Sequence, residues 1–193
     1  MRGVAIPELR ERLFAATERI VARDGAAGVT SRAITDEAGC AKGVLHNHFD
    51  GLDGFLAEFA IDRARHGMAL VAGLPGRAGQ DTVAGNLVTA STTVFGSGVT
   101  TAAALIMARP VLMVRMREMF SADGPLSDVE AAFAAYLRAE RDLGRIPAGT
   151  DTDTLAFSLV GAVHHLFFTQ RGTPLDPGQV TRIVGTMLGD PRV

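Results

Sequence analysis

The sequence of 193 residues predicts an all-α fold, on three observations. Hydrophobic residues make up 47% of the chain and aromatic residues only 6%, so Ala, Val and Leu dominate, and Ala and Leu favour helices. Apolar residues recur at helical spacing in successive segments, whereas no stretch of useful length alternates between apolar and polar residues as a strand does. Many of the 22 glycines fall between these segments, where helices end.

The first helix is predicted over about residues 7 to 23. Pro7 suits the first helical position, because its missing N–H would have no partner there. Leu9, Leu13 and Ile20 lie on one apolar stripe, with charged residues on the opposite side. We expect this helix to support the two short helices that follow.

Residues 30 to 49 predict two short helices joined by a tight turn. Thr30 or Ser31 can cap the first, since a side-chain oxygen accepts from the free backbone N–H groups at a helix start. Gly39 can adopt the left-handed conformation that ends it. The second helix would span about residues 41 to 48. This is the helix-turn-helix arrangement, whose second helix can enter the major groove of DNA.

The same segment resembles the DNA-binding segment of the tetracycline-repressor (TetR) family of bacterial transcription regulators. The resemblance is carried by Ile34-x-x-x-Ala38-Gly39, followed by Lys42-Gly43-x-Leu45-x-x-His48-Phe49. It extends over roughly residues 7 to 66. It implies a homodimeric transcription regulator, a repressor released from a palindromic double-stranded DNA operator by a small apolar effector, with no enzymatic activity and no cofactor.

The candidate DNA contacts lie in the two short helices and the turn between them. They are Thr30, Ser31, Arg32, Lys42, Gly43, Val44, His46 and Asn47. The first three sit at a helix start, where backbone N–H groups can bind a phosphate. Lys42 can reach a phosphate or a guanine edge, and the Asn47 amide can pair with adenine. The alternative interpretation of Lys42 is a solvated surface lysine.

Three departures from the family pattern predict weaker DNA binding. His46 replaces the usual tyrosine, Ala41 the usual serine, and Leu52 a lysine common in the following loop. The chain has a net charge of −2, and residues 1 to 48 carry seven basic and six acidic side chains, so the electrostatic attraction to DNA is modest. These observations motivate an alternative function, a helical small-molecule-binding dimer with weak or lost DNA binding.

The sequence predicts two domains. Residues 1–50 would form the helix-turn-helix domain, a linking helix would span about 52–72, and residues 73–193 would form a ligand-binding and dimerisation domain. The glycine- and proline-rich stretch 73–79 marks the joint. Further helices are predicted at about 81–95, 100–108, 110–121, 125–143, 152–169 and 177–188. The resemblance implies that helices 125–143 and 152–169 form a four-helix bundle with a second subunit.

The candidate effector-binding residues are aromatic, histidine and methionine side chains of the second domain. They are Phe95, Met107, Met113, Met116, Phe120, Tyr136, His164, His165 and Phe168. His164 and His165 interrupt an apolar helix, and methionine thioethers adapt to varied ligands. The alternative interpretations are core packing for the methionines and a core or interface role for the histidines.

Other functional classes lack support in the sequence. His46 and His48 lie two apart on a helix and point in different directions, so no metal site is expected. No nucleophile elbow, phosphate loop or dinucleotide fingerprint is present. The apolar stretches 99–116 and 155–168 are interrupted by Arg or His, which favours buried helices over membrane spans. With no signal-peptide pattern and a single cysteine, Cys40, we expect a cytoplasmic protein.

Overall fold

The computed structural model describes residues 6–119, 125–169 and 175–189, and this part of the chain is helical without strands. The helices are α1 (Ile6–Asp24), α2 (Ser31–Ala38), α3 (Val44–Phe49), α4 (Gly51–Val71), α5 (Val83–Val94), α6 (Ser97–Ala108), α7 (Val111–Met119), α8 (Pro125–Asp142), α9 (Thr152–Thr169) and α10 (Pro177–Leu188). Two 3₁₀ turns, Ala26–Gly28 and Leu74–Arg77, complete the order. The all-α prediction is confirmed, and α9 and α10 begin and end where the sequence predicts.

The chain forms two compact units. Among the described residues, the first comprises 6–63 and 101–119, and the second comprises 64–100, 125–169 and 175–189. Helices α4 and α6 therefore contribute residues to both units. The first unit thus includes α7 and most of α6, which lie far along the sequence from the helix-turn-helix.

The first unit is built around an aromatic core. Phe14 of α1 packs against Phe55 and Phe59 of α4, with ring centroids 5.6 and 5.2 Å apart. Phe49, at the end of α3, contacts Phe55 edge-on at 5.1 Å. Leu105 of α6 is fully buried in the same core. Because each ring touches helices from different parts of the chain, this core fixes the position of α3.

The second unit packs α8 on α9 and α10 on α5, while α8 also contacts the Leu74–Arg77 turn. Asp176 caps α10, since its Oδ1 accepts from the Gly178 N–H at 3.0 Å. Pro177 then stands at the first helical position. Within the described ranges, no single helix combines the length and apolar character needed to cross a membrane.

Candidate nucleic-acid interface

Helix α2 begins and ends as the sequence predicts. Thr30 is its N-cap, with Oγ1 accepting from the Ala33 N–H at 3.1 Å. Gly39 adopts the left-handed conformation at its C-terminal end, with φ of 63°. The Thr30 hydroxyl is therefore already hydrogen-bonded within the protein, while Ser31 and Arg32 are exposed in the first turn. The start of α2 faces solvent on a fixed backbone.

Helix α3 begins three residues later than the sequence predicts. Ala41, Lys42 and Gly43 form a turn, in which the Val44 N–H donates to the Ala41 carbonyl at 3.0 Å. Gly43 is the N-cap residue of the six-residue helix that follows. Lys42 and Gly43 therefore lie just before the helix and not within it. The helix starts late because Val44 bonds to the carbonyl three residues earlier, as in a turn, and not to the one four residues earlier, as in an α-helix. The spacing of apolar residues in the sequence does not distinguish these two patterns.

The two sides of α3 differ in polarity. Leu45 and Phe49 are buried against the rest of the first unit. The opposite side presents His46 and Asn47 to solvent, next to Lys42 in the preceding turn. We call this surface, formed by Lys42, Gly43, Val44, His46 and Asn47, the α3 face. Val44 is half-buried at its edge. The structure thus brings the predicted contact residues together at two adjoining segments, the start of α2 and the α3 face.

The charges near the α3 face are few. Arg32, whose side chain is 80% exposed, pairs with Asp36 one turn later, with Nε–Oδ2 at 3.4 Å. Lys42 makes no ion pair with any residue that the structure describes. An exposed pair such as Arg32–Asp36 contributes little stability and separates at little cost. Arg32 is therefore available to a phosphate, and Lys42 is available without a competitor among the described residues.

Three arginines of α1 hold the C-terminal half of α2. Arg12 Nη2 donates to the Ala38 carbonyl at 2.6 Å. Arg19 Nε and Arg23 Nη1 donate to the two carboxylate oxygens of Glu37, at 2.7 and 3.1 Å. The hydrogen bond from Arg19, followed by that from Arg23, lowers the pKa of Glu37. Helix α1 thus supports α2 by polar contacts as well as by its apolar stripe.

Two arginines distant in sequence support the ends of the helix-turn-helix. Arg109 Nη1 donates to Asp53 Oδ1 at 3.1 Å, and its Nη2 donates to the Val29 carbonyl at 3.2 Å. Arg115 Nη2 donates to Asp50 Oδ2 at 3.2 Å. Val29 precedes the Thr30 cap, and Asp50 is the C-cap of α3. Sequence reasoning missed these contacts, because nothing local links an arginine to a partner 56 to 80 residues away.

Gly54 allows α4 to start directly against the end of α3. A Cβ at this position would lie 1.9 Å from the Phe49 carbonyl oxygen, far inside van der Waals contact. The chain reverses at Asp50, a non-glycine residue with φ of 56°, and at Gly51 with φ of 79°. The sequence signal was the Asp50-Gly51-Leu52-Asp53-Gly54 turn, which predicts a reversal but does not single out Gly54.

Three of the predicted effector residues meet in the second unit. The His164 ring lies 6.1 Å from Phe95 and 4.6 Å from Phe168, between ring centroids. Phe167 adds a contact to Phe95 at 5.0 Å. We call these four residues the aromatic cluster. Burial, with a smaller contribution from the neighbouring His165, lowers the pKa of His164. His165 itself is exposed.

The other predicted effector residues have different surroundings. Tyr136 is fully buried and accepts a hydrogen bond from Asn86 Nδ2 at 3.0 Å. Burial, together with a hydrogen bond to Glu140, raises its pKa to about 12. Met107 and Met113 belong to the first unit and are exposed, and Met116 packs partly buried against the core of that unit. Phe120 lies outside the described residues.

Metal-binding side chains do not cluster in the part of the chain that the structure describes. No three His, Cys, Asp or Glu side chains there approach closely enough to hold an ion. Cys40 is half-buried between α2 and α3, and burial raises the pKa of its thiol. A thiol held in its neutral form is a poor nucleophile and a poor metal ligand.

Comparisons with known proteins agree with this geometry. The family model of bacterial regulatory proteins of the tetR family matches residues 13–59. The fatty acid degradation regulator FadR from Bacillus halodurans shares the fold with a TM-score of 0.68 at 14% identity, covering 99% of each chain. SmeT in complex with triclosan gives 0.66 at 19% identity, covering 94% of this chain and 90% of that one. The TetR-family regulator PfmR from Thermus thermophilus gives 0.60 at 14% identity, covering 94% and 100%.

No match to this sequence was found among curated proteins. The matched segment 13–59 contains α2, α3 and both groups of predicted contact residues. At these identities the solved structures establish the fold, and the family model establishes the helix-turn-helix segment. Residues 13–59 therefore match the family model of bacterial regulatory proteins of the tetR family, and the fold is similar to that of solved TetR-family regulators such as PfmR.

Proposed function

We propose that the protein is a ligand-responsive transcriptional repressor that binds a palindromic DNA operator as a homodimer. The observation that carries this proposal is the α3 face. Lys42, His46 and Asn47 on this face are polar and exposed, while Leu45 and Phe49 on the other side of the helix are buried in the core. A short helix supported from behind, with an uncovered polar side, suits entry into the major groove.

Each candidate contact has a chemical role in this proposal. The N–H groups at the start of α2, near Ser31 and Arg32, bind a phosphate together with their side chains. Lys42 adds a second phosphate contact. Asn47 reads a base, because its amide can both donate to and accept from adenine. His46 donates to a phosphate or base edge in the place of the family's usual tyrosine.

Dimerisation is proposed through the segments 125–143 and 152–169, and an exposed stripe on α9 supports it. Phe157 is 65% exposed and Phe168 is 41% exposed. Gly161 lies between them at helical spacing, and a Cβ there would meet open space. We call this surface, formed by Phe157, Gly161, His165 and Phe168, the α9 stripe. A second copy of α9 would bury these rings, and the small Gly161 would permit close approach of the two helices.

The dimer presents two α3 faces to successive major grooves. Half-sites one helical turn apart, about 34–36 Å, would match two such faces. An apolar effector bound in the second unit then favours a different spacing, to the extent that it binds that state more tightly. The solved structure of SmeT holds triclosan, which supports effector binding within this fold.

Operator selection followed by two single substitutions tests the proposal. Lys42→Ala should weaken operator binding on all sequences and reduce its salt dependence, because a phosphate contact is lost. Asn47→Ala should cost about 1–3 kcal/mol and relax the preference at one base pair. Arg182→Ala, which removes one exposed charge from α10, is the control and should leave binding unchanged. Equal binding by all three variants would contradict the DNA-binding assignment.

The Arg32–Asp36 ion pair supports a second candidate function, a small-molecule-binding dimer with weak or lost DNA binding. The Asp36 carboxylate stays close to Arg32 even when the pair separates, so it offsets one of the two exposed cations in the contact segments and reduces their attraction to phosphate. Selection from random duplex DNA at moderate salt separates the two functions. Enrichment of a palindrome supports the repressor, whereas a pool that stays random supports the second function.

A further inference from the structure

A groove of about 610 Å³ lies between the end of α4, the Leu74–Arg77 turn and α5. We call it the α4–α5 groove. Its apolar lining comes from Leu70, Val71, Leu74 and Ala90, and its polar lining from Arg77, Asp81, Asn86, Thr89 and Thr93. Such a volume is typical of small-molecule sites, as is a mainly apolar surface with a few polar groups. None of the lining residues belongs to the aromatic cluster, so this groove is a separate feature of the second unit.

The polar end of the groove is electrically neutral. Arg77 Nη2 donates to Asp81 Oδ2, and Arg77 Nε donates to Asn86 Oδ1 at 3.0 Å. Asn86 Nδ2 donates to the Gln80 carbonyl at 2.8 Å and to Tyr136 Oη at 3.0 Å, so both amide hydrogens are used. Arg77 and Asp81 already neutralise each other, so a ligand with a full charge finds no unpaired opposite charge at this end of the groove. An uncharged ligand does not need one.

This polar end is supported from behind by an ion pair whose carboxylate is buried. Glu140 is fully buried, pairs with Arg145 at 3.2 Å and accepts from the Gly79 N–H at 3.3 Å. Arg145 Nη2 also donates to the Asp81 carbonyl. The backbone that follows Arg77 is therefore held at Gly79 and at Asp81 before any ligand arrives. Preorganisation of this kind lowers the entropic cost of binding.

Two threonine hydroxyls along the groove are unused. Thr89 and Thr93 lie one turn apart on α5 and line the groove, and neither hydroxyl is hydrogen-bonded to a described residue. Thr92 on the same helix differs, because its hydroxyl donates to the Val88 carbonyl at 2.9 Å. Hydroxyls at positions 89 and 93 can therefore both donate to and accept from a ligand.

We propose that the α4–α5 groove binds an uncharged amphiphile, whose hydroxyl or carbonyl group lies along Thr89 and Thr93 and whose hydrocarbon part covers Leu70, Leu74 and Ala90. The apolar lining supplies the affinity, and the neutral polar end selects against fatty acids and amines of the same length. This inference concerns ligand binding by the second unit alone, so a failure to bind an operator would not contradict it.

Three probes with one tail and different head groups test it: 1-decanol, decanoate and decylammonium. Binding is followed by ¹³C-methyl NMR of Ala90, Leu70 and Leu74 in the full chain. We expect saturable shifts of these methyls with decanol and at least tenfold weaker binding of the two ions. The isosteric double variant Thr89→Val/Thr93→Val should weaken decanol binding about tenfold, from the loss of two hydrogen bonds. Thr92→Val is the matched control and should bind decanol as the parent does.

A charge-changing variant sharpens the test. Asp81→Asn leaves Arg77 without its carboxylate, and asparagine tolerates the left-handed φ of 46° at this position. Decanoate should then bind about tenfold more tightly than to the parent, while decanol binding changes little. The proposal is overturned if no probe shifts the groove methyls, if decanoate binds the parent as well as decanol does, or if Thr92→Val weakens binding as much as the double variant.

Discussion

Helices α3 and α9 each expose one side to solvent, and the exposed side of α3 differs in chemistry from that of α9. The α3 face carries Lys42, His46 and Asn47, all exposed and polar. The α9 stripe carries Phe157 and Phe168, both exposed and apolar. A polar face loses little by remaining in water, whereas large exposed rings gain free energy when another surface covers them, at about 25 cal/mol per Å² buried.

The difference indicates two kinds of partner. The α3 face fits a hydrated, charged surface that is read by hydrogen bonds, such as the edge of a DNA groove. The α9 stripe fits a dry protein surface, because exposed aromatic patches mark protein interfaces. The two helices also differ in what they pack against on their buried sides. Helix α3 rests on an aromatic core reinforced by Arg109 and Arg115, whereas α9 packs on α8 and α10.

The largest effect is expected from a substitution that disturbs the packing of α4 behind the α3 face. Gly54→Ala places a Cβ 1.9 Å from the Phe49 carbonyl, so α3 or α4 must shift. We expect a loss of about 3 kcal/mol in the free energy of unfolding, measured by urea denaturation, together with loss of operator binding. Gly76→Ala is the control, because a Cβ there meets nothing within 4 Å. Equal stability of the two variants would show that α4 does not need a glycine at this point.

The next prediction breaks the α9 stripe. Phe157→Asp places a charge where an apolar contact is proposed, and should cost about 2 kcal/mol or more of dimerisation free energy. Sedimentation equilibrium measures the change. Ala69→Asp, at an exposed position of α4 outside both proposed interface segments, is the matched control. A dimer that survives Phe157→Asp would exclude the α9 stripe as the interface, and equal weakening by both variants would show that the effect is not specific to the stripe.

A smaller effect is expected when the hydrogen bonds from Arg109 to the helix-turn-helix are removed. Arg109→Met removes the hydrogen bonds to Asp53 and to the Val29 carbonyl. Because Asp53 remains accessible to water, whereas Val29 is buried and its carbonyl loses this partner, the loss of unfolding free energy should be about 1–2 kcal/mol, with several-fold weaker operator binding. Arg65→Met, at an exposed arginine of α4, should change neither quantity. Unaltered operator affinity of Arg109→Met would mean that α2 and α3 hold their geometry without this contact.

The smallest expected effect concerns pH and the aromatic cluster. Burial lowers the pKa of His164, so the unfolded chain takes up a proton more readily than the folded one. Stability should therefore be greatest above the ordinary histidine pKa of about 6.5, and should fall as the pH drops through that value. His164→Gln should flatten this dependence in thermal unfolding between pH 7.5 and 5.5, whereas His66→Gln, at an exposed position, should not. Identical pH profiles for the parent and His164→Gln would contradict the shift.

Much of the helix-turn-helix was predictable because its signals are local. The Thr30 cap and the left-handed Gly39 each depend on a few neighbouring residues, and both are confirmed. The predicted start of α3 was three residues too early, because Val44 donates to the Ala41 carbonyl in a turn that precedes the helix. The need for Gly54, in contrast, arises from the Phe49 carbonyl of the preceding helix. The roles of the predicted DNA and effector residues remain predictions.

The sequence by itself determined where helices form, which residues cap them and which segment resembles a DNA-binding motif, because these depend on side chains within a few residues of one another. Only the tertiary structure decided that Arg109 reaches Val29, that Tyr136 joins Asn86 in a buried network, and that the α4–α5 groove has a neutral end. Those arrangements depend on how distant helices pack, and packing free energy is shared among many contacts that no local pattern encodes.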